Sequence, residues 1–377
     1  MKLLGAAADV NSVLTTIRIG RPLSQLTAQR PGWELRLRSL HDCSATDLEW
    51  ADILILQRGL TRRAWRLIRA MHASGGRVVY EIDDLLSEMP PSLIHHQAVQ
   101  RRLPWLRRCI AAADIVSVST ARLGRTLAPP RWVEIPNYGD AAPQASGASR
   151  SADVAGTPMT LLFASSDRVP VLQVALALQE LQALPGRIGP VLAVGPVADD
   201  LVAAGVAVRR LPQMARVDFL DLLRSLGSVL AVIPIGSTSF DACKSAIKFF
   251  DYALAEIPVI CSNRPPYSDV AHDGVDAVLV EDRAETWQAA IETAIDEPVR
   301  IAALVAAAAL AVAARHSLDQ TVLAWSAVLD EIGPRTAAAQ AAANPWQRAI
   351  EAAAIWLRRF NRNRLARRAA KRSLKDR

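Results

Sequence analysis

The sequence predicts an α/β protein of two Rossmann-like domains, each a doubly wound parallel sheet, with a basic amphipathic helix at the C-terminal end. Three observations predict it. Short β-branched apolar runs alternate with helical periodicities through residues 1–140 and again through 158–333, as in parallel sheets covered by helices. Residues 141–157 (AAPQASGASRSADVAGT) are small, polar and aperiodic, the composition of a linker between the two series. Residues 334–377 run from an alanine-rich connector into a cationic tail.

In the first series, residues 2–4 read as a short strand, a helix follows Pro22, and 33–40 form a second strand. Residues 51–58 (ADILILQR) are a buried strand ending at Arg58, and Thr61 caps a helix over 61–73. The strand 77–84 (RVVYEIDD) ends in Glu81, Asp83 and Asp84. Acidic residues at the carboxyl end of a parallel strand sit where open sheets hold ligands. Asp83 or Asp84 is equally suited to capping the next helix. Residues 91–113 are helical, with Arg101-Arg102 and Arg107-Arg108 on a solvated face; strand 113–120, helix 121–127 and strand 132–136 complete the domain.

The second series runs strand 159–164, helix 169–183, strand 191–194, helix 197–204, strand 206–211, helix 216–225 and strand 229–235. Ser165-Ser166-Asp167-Arg168 follows its first strand. Gly195 ends the next, where a missing side chain admits either a ligand or a plain turn. After strand 229–235 and a Ser/Thr loop, a helix over 240–255 stops before Pro258; 259–262 and 277–280 are strands, and 281–332 are closing helices. On the 240–255 helix, Lys244, Lys248 and Asp251 stand at i, i+4 and i+7, so one face gathers two ammonium groups and a carboxylate. Helix-start amides with two lysines suit a diphosphate, and a carboxylate one turn on suits a ribose hydroxyl pair. The same spacing also suits a solvated face with an incidental Lys–Asp pair.

Composition excludes other classes. With 51% hydrophobic and 21% charged residues the chain has material for a large core. Cys43, Cys109, Cys243 and Cys261 lack C-x-x-C spacing and read as reduced thiols of a cytoplasmic protein. The six histidines form no cluster, so no metal is expected. The apolar stretch 3–8 is too short for a secretory signal, and 301–314 falls short of the ~20 residues of a membrane span.

The net charge of +7 is uneven: residues 345–377 hold eleven basic and two acidic side chains, leaving −2 for the rest. Trp346, Ile350, Leu357 and Phe360 fall on one stripe of this tail, as in an interfacial helix on an anionic membrane. Packing of its first half on the N-terminal domain is the alternative. Nucleic acid is not an expected partner, because the acidic body promises no extended basic face.

Residues 240–267, FDACKSAIKFFDYALAEIPVICSNRPPY, resemble the nucleotide-sugar motif of GT-B glycosyltransferases of the group 1, family 4-like branch. Members carry an acid seven positions before the proline of a G-x-P-V turn, and Asp251 stands at that distance from Pro258. The usual residue there is Glu, and the family's earlier Glu is matched by Cys243. Lys244-Ser245…Lys248 is similar to the K-S-x-x-K signature of a subset of polysaccharide glycosyltransferases. Residues 135–140 (IPNYGD) resemble the family's I-P-N-x-x-D, and Arg18, Ile19, Pro22 and Leu26 resemble its first loop and helix.

The resemblance implies a GT-B fold and transfer of a sugar from a nucleotide-diphosphate donor to a glycan or lipid-linked acceptor. It implies retention of configuration and needs neither cofactor nor metal. Arg168, Lys244, Ser245 and Lys248 would hold the diphosphate and Asp251 the ribose. Asp83 and Asp84 are the catalytic candidates, and Arg18, Arg58, Asn137 and Gly195 would line the acceptor cleft. A non-catalytic GT-B-like scaffold and a sugar-nucleotide epimerase of similar fold remain as rivals.

Overall fold

The computed structural model of the chain describes residues 1–140 and 158–335. The linker (141–157) and the cationic tail (346–377) lie outside them. Among the described residues there are two six-stranded, all-parallel sheets. The first contains β1 (Lys2–Ala7), β2 (Glu34–Ser39), β3 (Ile53–Gln57), β4 (Arg77–Ile82), β5 (Ile115–Val118) and β6 (Trp132–Glu134), in the order β2-β1-β3-β4-β5-β6. The second contains β7 (Thr160–Ala164), β8 (Val191–Val194), β9 (Arg209–Leu211), β10 (Val229–Ile233), β11 (Val259–Ser262) and β12 (Val278–Val280), in the order β12-β11-β10-β7-β8-β9.

Strands such as Ile53–Gln57 and Val229–Ile233 are buried on both faces, which is why they read as unbroken apolar runs. Strand order reverses between β1 and β3 and again between β7 and β10. Such switch points open a crevice beyond the carboxyl ends, and these two face each other.

Four local expectations change. The 91–113 stretch is two helices, His96–Gln100 and Leu103–Ala112, the second with proline in its first turn. The helix before β2 begins at Val13, passes through a π-turn over Thr16–Gly20 and ends at Gln29. Ala45–Trp50 adds a helix started by a Ser44/Asp47 capping box. The helix expected over 240–255 breaks into Ser239–Ala242 and Ile247–Leu254. Phe240 and Cys243 bury in the N-terminal core, while Phe249 and Phe250 bury in the C-terminal one. Phe240 and Phe249 are roughly two and a half turns apart, so a straight helix would point them oppositely; the break lets each domain take its own residue.

The closing helices also divide between the domains. Pro298–Arg315 packs Ile301, Leu304, Ala308 and Val312 against the second domain. The chain turns at His316, and Leu318–Ile332 crosses back to bury Val322, Trp325, Val328 and Leu329 with Leu23 and Leu26 of the first. By length and composition the stretch Pro298–Ile332 is apolar enough to cross a membrane; here it clasps the two domains. All four cysteines are buried and free.

Candidate functional site

A cleft of about 520 Å³ lies between the domains, where the two switch points meet. Its N-terminal wall comes from Val13, Leu14 and Ile17 after β1, Arg58 after β3, and Asp83 and Asp84 after β4. Its C-terminal wall comes from the loops after β7, β9 and β10 and the Ile247–Leu254 helix.

That helix begins in the cleft. It has no side-chain cap, and the N–H groups of Ser245 through Phe249 find no acceptor among the described residues. Uncapped amides at the positive end of a helix dipole form an anion site. Lys248, in the first turn, is half-buried and has no hydrogen-bond or ion-pair partner among the described residues. Desolvation, with the nearby charge of Lys244, pushes its ammonium down to about 8. Lys244 lies in the break between the two helices; its Nζ donates to Asp167 Oδ2 at 2.9 Å and sits 4.9 Å from the Phe240 ring centre. Lys244 and Lys248 therefore do not share a helix face. They reach one cleft from opposite sides of a bend.

One turn after Lys248, Asp251 is buried at the cleft floor. Its Oδ1 accepts from Arg216 Nη2 at 2.6 Å and from the Asp140 N–H at 3.1 Å. Oδ2 has no partner among the described residues, which leaves it as the acceptor Asp251 presents. Burial raises this carboxyl to about 6, against the pull of Arg216. Beside the pair, Met214 and Phe219 provide an apolar wall, and Phe219 is braced edge-on by Tyr252 with ring centres 6.2 Å apart.

On the facing wall, Arg58 has a left-handed backbone (φ 43°) and donates to both Asp83 and Asp84. Burial would lower its guanidinium, but the two carboxylates hold it above its ordinary value. Burial raises Asp84 despite Arg58. Both acids thus line the cleft as ion-paired groups, each with one oxygen committed to the same arginine.

Three expected residues lie elsewhere. Arg18, expected on the cleft wall, is fully buried; Nε donates to Glu81 at 2.7 Å and Nη1 to the Ile135 carbonyl and Asn137 Oδ1 at 2.6 and 2.8 Å. It is the internal partner of a buried strand-end glutamate. Arg168, expected at the diphosphate, turns outward to pair with Asp200 at 3.0 Å and is largely exposed. Gly195 lines no part of the cleft. With φ +80°, a Cβ there would stand 2.4 Å from the Ser165 carbonyl oxygen, so glycine serves the close approach of two strand-end loops. Asn137 and Ser245 do line the cleft.

Sequence reasoning passed over Arg216, Asp167 and Phe219. Arg216 begins a helix four residues beyond the start of the loop after β9, and that position at a strand's carboxyl end was its legible signal. Cys243, at the place of the family's glutamate, faces the N-terminal domain instead. Its Sγ lies 3.5 Å from Thr126 Oγ1 and its carbonyl accepts from Thr120 Oγ1 at 3.2 Å.

No protein-family model and no curated protein matches the sequence. Solved structures do. HepE of Anabaena in complex with UDP and glucose matches with a TM-score of 0.62 at 14% identity, over 88% of this chain and all of that one. A glycosyltransferase of Rickettsia africae matches with a TM-score of 0.62 at 14% identity, over 88% and 98% of the two chains. Sucrose-phosphate synthase of Thermosynechococcus elongatus matches with a TM-score of 0.65 at 13% identity, over the same shares. This likeness gives the chain the two-domain GT-B fold.

Proposed function

We propose that the chain is a glycosyltransferase that moves a sugar from a nucleotide-diphosphate donor to a glycan or lipid-linked acceptor. One observation carries this reading. An uncapped helix start with an unpartnered lysine, Lys248, and a buried carboxylate with one free oxygen, Asp251 Oδ2, occupy a single cleft one helical turn apart. The first pair suits the diphosphate and the second the ribose, with Met214 and Phe219 beside the base. The complexes of HepE with UDP and with UDP-glucose support a uridine donor.

In the reaction, the bond between the sugar's anomeric carbon and the β-phosphate oxygen breaks as the acceptor hydroxyl's oxygen bonds to that carbon, and the hydroxyl proton passes to the leaving diphosphate. Negative charge grows on the leaving diphosphate, and Lys248, Lys244 and the helix-start amides stabilise it there. Arg58 fixes Asp83 and Asp84 on the acceptor's side of the cleft. Retention of configuration, independence of metal and membership of the K-S-x-x-K polysaccharide subset are carried by the sequence resemblance. So is a role in cell-surface polysaccharide synthesis, while a location at the cytoplasmic face of a membrane, held through 346–377, rests on the cationic, Trp- and Phe-bearing composition of that tail.

A second reading, a non-catalytic scaffold of the same fold, is favoured by Cys243, which stands where the resembled family has glutamate and is turned away into the domain interface. The discriminating experiment incubates the chain with radiolabelled nucleotide sugars and a lipid extract. The account expects free nucleoside diphosphate and label in the lipid or glycan fraction. Binding without release would mean a scaffold, and interconversion of the free donor would mean an epimerase.

A further inference from the structure

We infer that the outer face of the N-terminal domain, formed by the Arg62–Ala73 and Leu103–Ala112 helices, is a docking surface for an anionic phospholipid bilayer. The two helices lie side by side over one face of the first sheet, burying Leu67, Ile68 and Met71 beside Leu106 and Cys109. Trp65 and Trp105 meet between them with ring centres 6.1 Å apart.

Their outward sides are almost purely cationic. Arg62 and Arg69 are exposed on the first helix, and Arg101, Arg102, Arg107 and Arg108 at the start and along the outside of the second. No Asp or Glu occurs in 59–80 or in 89–113. Of the bordering acids, Asp114 holds His72 and Arg77 and Asp47 faces Arg38, while Glu88 stands exposed at the edge. The body charge of −2 therefore hides an extended basic face, contrary to the expectation that the body lacked one.

Two features favour a bilayer over a soluble polyanion. The tryptophans are not open for base stacking, because Arg69 and Arg108 lie over them at 5.1 and 4.8 Å. Ile94, in the segment leading to Arg101, is 92% exposed, an apolar side chain suited to insertion beside a cationic helix. The face also borders the cleft. The first helix starts just after Arg58, and the Ile94 segment follows Asp83 and Asp84, so lipid beneath this face lies next to the acceptor wall.

The surface stands apart from the nucleotide reading and is tested without it. The full chain is mixed with vesicles of phosphatidylcholine alone and with about 30% phosphatidylglycerol, and the bound fraction is measured by sedimentation. Each arginine near such a surface contributes roughly fivefold to partitioning, so replacing Arg62, Arg101, Arg102 and Arg107 together with Gln should weaken binding to the anionic vesicles at least about tenfold. These exposed positions leave the thermal midpoint and any nucleotide-diphosphate shift unchanged, which shows that the variant is folded. Undiminished vesicle binding by the variant would overturn the proposal and assign binding to the tail. Equal binding to neutral vesicles would overturn it too. Binding of wild type to a single-stranded oligonucleotide but not to vesicles, lost in the variant, would mark a polyanion site instead.

Discussion

Arg216 Nη2 donates to Asp251 Oδ1 at 2.6 Å, and the same oxygen accepts the Asp140 N–H, so one buried carboxylate oxygen joins three segments at the cleft floor. The segments come from the loop after β9, the helix after β10 and the end of the N-terminal domain. This arrangement spends Oδ1 on architecture and leaves Oδ2 for a ligand.

Replacing Arg216 with Ala leaves a buried carboxylate without its cation, a loss of about 3–5 kcal/mol of stability at pH 8. Asp251 already sits near 6, above its ordinary 3.8, so its contribution to stability falls as pH rises through that interval. The variant's carboxyl, lacking Arg216, will hold its proton to still higher pH. Urea unfolding at pH 5.5 and pH 8 should show the smaller penalty at the lower pH; equal penalties would mean that the pair is not coupled.

Lys248 should set stability and affinity against each other. Its ammonium, lowered from 10.5 to about 8, costs the folded state below pH 8, and the cost is relieved between pH 8 and 10.5, where the unfolded chain holds more protons. The thermal midpoint of the ligand-free chain should rise relative to that of Lys248→Met as pH goes from 8 to 10.5 and that cost disappears, and Lys248→Met itself should be about 1–3 kcal/mol more stable at pH 7. Diphosphate affinity of the wild type should fall across pH 8. A destabilised Lys248→Met would show that the lysine is structurally paired.

Arg18→Ala should cost about 3–5 kcal/mol, because Glu81 would lose the cation that offsets its burial. Changing Glu81→Gln in the same chain should recover part of the loss. The Michaelis constant for donor, measured on the folded fraction, should stay unchanged; a large rise would return Arg18 to the cleft.

Gly195→Ala forces a side chain into a left-handed backbone against the Ser165 carbonyl, and should destabilise by about 2–3 kcal/mol in a melt. A neutral substitution would mean that the β7 and β8 loops adjust freely.

The alternation of apolar runs and helical periods made both sheets legible, because strands buried on two faces leave a signal that does not depend on distant contacts. Lys248, Ser245 and Asp251 were legible as a group because local spacing kept them together on one short stretch, whereas the helix start beside them was not. Arg18 and Arg168 were misplaced because an arginine's partner is set by tertiary contact. Glu81 and Asp200 are 63 and 32 residues away. The break at Lys244 was hidden because both half-helices carry apolar residues that periodicity alone assigns to one core, whereas the structure divides them between two.

Calorimetric titration of UDP into wild type and Lys248→Ala tests the diphosphate site. The account predicts saturable binding by wild type, with a stabilisation of about 2.7 kcal/mol at a hundredfold excess over the dissociation constant, and at least about a tenfold loss of affinity in Lys248→Ala. Equal affinity in the two proteins would contradict it.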